Sequence, residues 1–154
     1  MWVAPEIKDP VALLAPTRKS VGVFGAVSVD GGKLVTRKEQ DRFNALTFLN
    51  FLQLLVQHHR PGRKIILVVD NARWHHAKLL KPWLEENKER IELFFLPAYS
   101  PDLNVIERVW KLTRRLCTHN RFFATLEELI DSVFAQFKEW EKENQTLARL
   151  CAIN

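Results

Sequence analysis

Residues 64–78, KIILVVDNARWHHAK, decide the fold. The apolar, β-branched run Ile65 to Val69 stops abruptly at Asp70-Asn71. A short apolar run bounded by turn residues predicts a central strand buried on both faces. The polar pair then marks the strand's C-terminal edge, where α/β sites form. Upstream, SVGVFGAVSV (20–29) reads as another buried strand, Asp30-Gly31-Gly32 as a hairpin turn, and KLVTRKE (33–39) as a more polar second strand. Asp41 or Asn44 can cap a helix over 44–59, on which Phe48, Phe51, Leu52 and Leu55 recur at helical spacing. Downstream, 76–89 reads as a helix kinked or broken at Pro82, and IELFFL (91–96) as a further strand. Pro97 to Pro101 makes a stiff loop before a helix over about 105–118. Thr125 and Glu128 form a capping box that opens a long amphipathic helix bearing Leu126, Leu129, Ile130, Val133, Phe137 and Trp140. Strands alternating with helices after a hairpin predict an α/β fold, a mixed sheet flanked by helices.

The rest of the chain narrows the class. Its 154 residues suit one domain, and an apolar share of 47% excludes wholesale disorder. No apolar run reaches membrane-spanning length, and MWVAPEIKDP lacks a basic start before an apolar stretch, so neither a membrane partner nor a secretory signal is expected. Cys117 and Cys151 have neither metal-binding spacing nor the density of a disulfide scaffold, which points to a reducing cytoplasm. The net charge of +5 is a mild pointer to an acidic partner, nucleic acid being the commonest. Residues 1–19, broken by Pro5, Pro10 and Pro16, read as an irregular N-terminal segment, and 20–150 as the domain.

Two carboxylates stand out. Asp70 follows a buried strand and is surrounded by Asn71, Arg73, His75, His76 and Lys78. A plainer reading has Asp70 and Asn71 merely forming an Asx turn or a helix cap. Glu107 lies in LPAYSPDLNVIERVWKLTRR (96–115). On a wheel of about 100° per residue, Val105, Ile106, Val109, Trp110, Leu112, Leu116 and Cys117 share one arc. Glu107, Arg108, Lys111, Arg114 and Arg115 share the other. Here the plainer reading is a capping box between Asn104 and Glu107. Together, a strand-end Asp and a helix-borne Glu amid Arg and Lys match a two-metal phosphoryl-transfer site. Mg²⁺ takes hard oxygen ligands, and two ions roughly 4 Å apart clamp the attacking and leaving oxygens of a phosphodiester. Such a site needs about three carboxylates, one more than these segments supply.

IILVVDNARWHHAK and FFLPAYSPDLNVIERVWKLTRR resemble the second and third catalytic motifs of mariner-related bacterial insertion-sequence transposases, of the DDE superfamily. The resemblance covers about residues 20–140, taking in VGVFGAVSVDGGKLV and the helix around Phe48–Leu55. It implies a ribonuclease-H-like sheet, with Asp70 as the second catalytic carboxylate and Glu107 as the third, 37 positions apart as the family's short spacing has it. It also implies Mg²⁺ or Mn²⁺ as cofactor, two ions in the intact site. The partners implied are double-stranded DNA, at transposon ends and target, and a second copy in a homodimer. The implied activity is DNA strand cleavage and strand transfer: water hydrolyses a phosphodiester at the transposon end, and the freed 3′-hydroxyl attacks target DNA. Arg73, Lys78, Arg108, Lys111, Arg114 and Arg115 would line the DNA path. His75 would lie near the active site, touching DNA or orienting Asp70. The protein would work in the cytoplasm, on the nucleoid.

Departures from the family pattern are two. Val105 stands where Pro is usual at the start of the helix, a benign change. More seriously, the family's first Asp lies on the first strand, upstream of a Trp that Trp2 matches, so the sheet is expected to lack that strand and the chain to be the C-terminal part of a transposase. Asp9, in a proline-broken segment, and Asp30, in the hairpin turn, are poor substitutes. The alternative is therefore a catalytically inactive remnant that binds DNA or self-associates without cutting.

Overall fold

The computed structural model describes the backbone of residues 2–4, and residues 21–40 and 42–153. Five strands form one mixed sheet: β1 (Trp2–Ala4), β2 (Gly22–Val27), β3 (Leu34–Glu39), β4 (Ile65–Val69) and β5 (Ile91–Phe95), in the order β3-β2-β1-β4-β5. β2 and β3 pair antiparallel as the predicted hairpin, and β4 and β5 run parallel from Ile65↔Ile91 to Val69↔Phe95. The expected gap at the first strand is not left open. β1 fills the place between the halves, antiparallel to β2 at Trp2↔Val27 to Ala4↔Gly25 and parallel to β4 at Trp2↔Val68. Residues 2–4 are thus strand, not the irregular segment read from the prolines that follow, because they satisfy backbone groups of both neighbours. Asp9 and Asp41 lie outside the described residues.

Two cores flank the sheet. Side chains alternate along a strand, so Phe24 and Ala26 of β2 face one side, and Val23 and Val27 the other. On the first side α1 (Ala45–Val56) buries Phe48, Phe51, Leu52 and Leu55 against Phe24, Val35, Leu67, Val69 and Ile91. Asn44 caps α1 through a reciprocal box with Thr47. On the second side α3 (Ile106–Thr113), α4 (Leu126–Glu139) and α5 (Gln145–Leu150) bury Trp110, Phe137, Trp140 and Leu147 against Val23, Val27 and Leu34. Thr125 caps α4 as its sequence predicts.

Three expectations change. β4 is not buried on both faces: Ile66 is 44% exposed, since the second core lies over the hairpin half of the sheet and takes no residue from β4 or β5. The helix read over 76–89 is divided into short pieces, but the division falls ahead of Pro82 rather than at it. After two short 3₁₀ turns (Arg73–His76, Lys78–Leu80), α2 (Lys81–Glu86) begins with Pro82 in its first turn, where the missing N–H costs nothing. α5 was not legible as a helix of its own. It is fixed by Asn144, whose amide donates to the Gly32 carbonyl (2.8 Å) while its side-chain oxygen caps Leu147. Gly32 (φ +68) lies so close to α5 that a Cβ would strike backbone atoms there.

Gly25 sets the spacing of the second core. A Cβ at this position would overlap the ring of Trp110, which is wholly buried. The missing side chain lets α3 settle onto the sheet, and this seats the first turn of α3 at its depth. Among the described residues no helix is long and apolar enough to cross a membrane.

Candidate functional site

β4 delivers Asp70 to the C-terminal edge of the sheet. The chain turns at once: Asp70 Oδ1 accepts from the Ala72 amide (3.0 Å), so the Asx turn of the plainer reading does form. Asn71 pins the turn to the next strand, its Nδ2 donating to the Leu96 carbonyl (2.7 Å) while its Oδ1 meets His76 Nε2 (3.1 Å). His76 in turn stacks on Phe95, centroids 4.1 Å apart.

His75 does not lie where a DNA contact could be. The resemblance left it touching DNA or orienting Asp70, and its 2% exposure removes the first role. The ring packs on Phe48 (4.4 Å) and edge-on to Trp74 (5.9 Å). Its Nδ1 stands 2.9 Å from Asp70 Oδ1 and 3.0 Å from the Asp70 carbonyl oxygen. Both are acceptors, so the hydrogen belongs on Nδ1. Nε2 is buried without a partner among the described residues. One side of the Asp70 carboxylate is therefore held by an imidazole and an amide. Burial pushes the Asp70 pKa up, but the bonds from His75 and Ala72 outweigh it and hold the carboxyl below the usual range.

Glu107 reaches the same place from the other side. The stiff loop winds through a 3₁₀ turn (Pro101–Leu103), and the Glu107 amide donates to the Asn104 carbonyl (3.1 Å). The expected box between Asn104 and Glu107 does not form. α3 has no side-chain cap, because Asn104 is drawn into the interior (3% exposed) and supplies its backbone oxygen instead. The Glu107 carboxylate thus faces the cleft rather than its own helix end. Its pKa is raised, first by burial and also by the charge of Asp70, with Arg114 opposing. Asp70, Asn71, Leu96, Tyr99, Asn104 and Glu107 line one cleft of about 390 Å³.

The basic residues divide. Arg114, at the start of a π-helical turn (Arg114–Thr118), acts electrostatically on Glu107. Like Arg114, the residues Arg73, Lys78, Lys111 and Arg115 are exposed and outside the cleft lining. Arg108 is otherwise engaged, its Nη1 donating to the carbonyls of Leu150 (3.1 Å) and Ala152 (3.3 Å) at the C-terminus of α5. That places its exposed guanidinium at a helix end which favours cations, away from the cleft lining. Asp30 is exposed at the hairpin turn, 3.7 Å from Arg63, and plays no part in the cleft.

Tyr99 is the cleft residue that sequence reading passed over. Its backbone is left-handed (φ 58) and its side chain fully exposed, 102%. A non-glycine residue there costs roughly 1 kcal/mol. The sequence signal was the Pro97–Pro101 bracket, which marks a stiff loop without revealing what its tip presents.

The donor chemistry suits a hard divalent cation in kind, with two carboxylates at one cleft and a raised acid that positive charge would relieve. The count is short: among the described residues no three His, Cys, Asp or Glu side chains gather as a metal site.

Residues 3–130 match the family model described as DDE superfamily endonuclease. The chain is 29% identical over 109 residues to the insertion element IS630 uncharacterized 39 kDa protein of Shigella sonnei, covering 71% of this chain and 31% of that protein. It thus spans about a third of that relative's length. Its fold is similar to the crystal structure of the catalytic domain of Mos1 mariner transposase: TM-score 0.71, 19% identity, covering 97% of this chain and 74% of the other. It is also similar to a chain of the mariner Mos1 paired end complex with Mg: TM-score 0.59, 22% identity, covering 90% and 43%.

Proposed function

The chain belongs to the DDE superfamily endonucleases, and on that premise we propose that it is the part of a transposase that carries two carboxylates of a metal-dependent site for DNA strand cleavage and strand transfer at transposon ends. One observation carries the reading. Asp70, from the end of β4, and Glu107, from the first turn of α3, meet at one cleft although 37 positions separate them. The Mg named with the mariner complex supports a divalent ion, and the family supports double-stranded DNA as partner. Asp70 and Glu107 would hold Mg²⁺ or Mn²⁺. A cation there supplies Lewis-acid stabilisation of the charge that develops on the reacting phosphate.

The chain's own groups do the rest. His75 and the Ala72 amide orient Asp70 from the protein side and favour its ionised form. Arg114 offers a cation beside Glu107 for a backbone phosphate. Asn71 keeps the ends of β4 and β5 in register, so the floor of the cleft does not splay.

The test is Mn²⁺ calorimetry on the chain, with Asp70→Asn and Glu107→Gln as comparisons. Heat of binding in the parent, lost in both variants, supports the assignment. Unchanged binding in both variants overturns it. A second reading, DNA binding or self-association without cutting, is favoured by the carboxylate count: among the described residues no third Asp or Glu joins Asp70 and Glu107 at the cleft. A single weakly bound Mn²⁺ would support that reading, and two tightly bound ions would overturn it.

A further inference from the structure

We propose that Tyr99 is a stacking platform for an unpaired nucleobase at the mouth of the Asp70–Glu107 cleft. The proposal rests on the DNA reading above and adds the form of DNA the cleft accepts. Among the described large hydrophobic residues Tyr99 is the most exposed, yet it lines the same cleft as the two carboxylates. Among the described residues its ring has no aromatic or hydrogen-bonding partner, and at 102% exposure it adds nothing to either core. Its left-handed backbone is a conformation that Gly or Asn adopts more readily. A bulky ring kept outside both cores, at a cost in backbone strain, fits a binding role.

The loop is built to hold the ring still. Pro97 and Pro101 bracket it, Ser100 Oγ donates to the Ala98 carbonyl (3.3 Å), and the Leu103 amide to the Ser100 carbonyl (3.2 Å). A presented, rigid aromatic loses little freedom on binding. Its natural ligand beside a phosphate-handling cleft is a π-face, and every base has one. Within an intact duplex those faces are covered by neighbouring base pairs. Tyr99 therefore meets a base only where one is unpaired, which makes the accepted substrate DNA opened or frayed next to the phosphate that would react at the Asp70–Glu107 cleft.

The chain contains a single tyrosine, so 3-fluorotyrosine labelling gives one ¹⁹F resonance that reports Tyr99 alone. The probe is an oligonucleotide duplex with an unpaired 3′ tail, and the competitor a nick-free, fully paired minicircle. Binding is followed by fluorescence anisotropy for the parent, Tyr99→Phe and Tyr99→Asn, the last chosen because Asn tolerates the left-handed backbone and preserves the loop. Expected are a shifted ¹⁹F resonance on adding tailed duplex, affinity kept in Tyr99→Phe, and about a tenfold loss in Tyr99→Asn for tailed DNA only. An unmoved resonance with DNA bound, or equal affinity of the parent and Tyr99→Asn for the tailed duplex, overturns the proposal and leaves the DNA reading standing. An equal loss against the minicircle also overturns it, because no unpaired base is then required. No binding of either DNA by the parent overturns both.

Discussion

Asp70 and Glu107 sit in one cleft and are pushed in opposite directions. Asp70 is held below the ordinary carboxylate range by His75 and the Ala72 amide, against its own burial. Glu107 is raised by burial and by Asp70. For Asp70 the folded pKa is depressed, so its contribution to stability is present above the unfolded pKa and is lost as pH falls through the folded one. For Glu107 the folded pKa is raised, so the ionised carboxylate costs stability at neutral pH, and that cost disappears as pH falls below the unfolded value. Glu107→Gln should therefore raise the melting temperature at pH 7, with the gain vanishing in acid. Melting curves across that range check it, and a Glu107→Gln protein no more stable than the parent at pH 7 counts against the strained carboxylate. Stability given up at a reacting centre is a common trade in enzymes.

Among elements, α3 carries the site, and the way it packs decides whether Glu107 arrives. Trp110 lies three residues beyond Glu107 and nests over Gly25. Gly25→Ala should force α3 outward. Overpacking of this kind costs about 2 kcal/mol, or roughly 5 °C in melting temperature for a domain of this size. Thermal denaturation of Gly25→Ala tests it, and an unshifted melting temperature would show that Trp110 can move aside. The amphipathic wheel separates the two faces of this helix except at Leu116, which it places on the apolar arc and the structure leaves 46% exposed. It could not show that the helix starts without a side-chain cap, nor that it runs on into a π-helical turn ending with the His119 amide on the Arg114 carbonyl (2.8 Å). Both depend on what surrounds Asn104 and Thr118, not on local spacing.

At the scale of the molecule, the basic residues of α3 and of the turn that follows it have different surroundings. Arg108 ties α3 to the carbonyls that end α5, more than forty residues away, whereas the charge of Arg114 acts on Glu107. Arg114→Ala should weaken duplex DNA binding and reduce the slope of log affinity against log salt by about one unit. Arg108→Ala should leave the slope unchanged and lower the melting temperature slightly, the loss of an exposed pair of hydrogen bonds costing about 1 kcal/mol at most. Anisotropy over a salt series, beside melting curves, separates the two. Equal slope changes in both variants would place Arg108 in the DNA path beside Arg114.

Local pattern by itself determined the hairpin, the strands at 65–69 and 91–95, and the helices around Phe48 and Leu129. Periodicity and turn chemistry are properties of neighbouring residues and need no partner. The motifs also singled out Asp70 and Glu107, because a strand end and a helix start are positions a sequence can mark. What surrounds those residues was decided only by tertiary structure. His75 is a buried ring bonded to Asp70 because α1 brings Phe48 over it. Arg108 is a helix-end clamp because α5 folds back onto α3. β1 joins the sheet although only three residues long, because open edges on β2 and β4 await a partner. Burial, charge pairing and strand order arise from residues far apart in the chain, and no spacing within a motif encodes them.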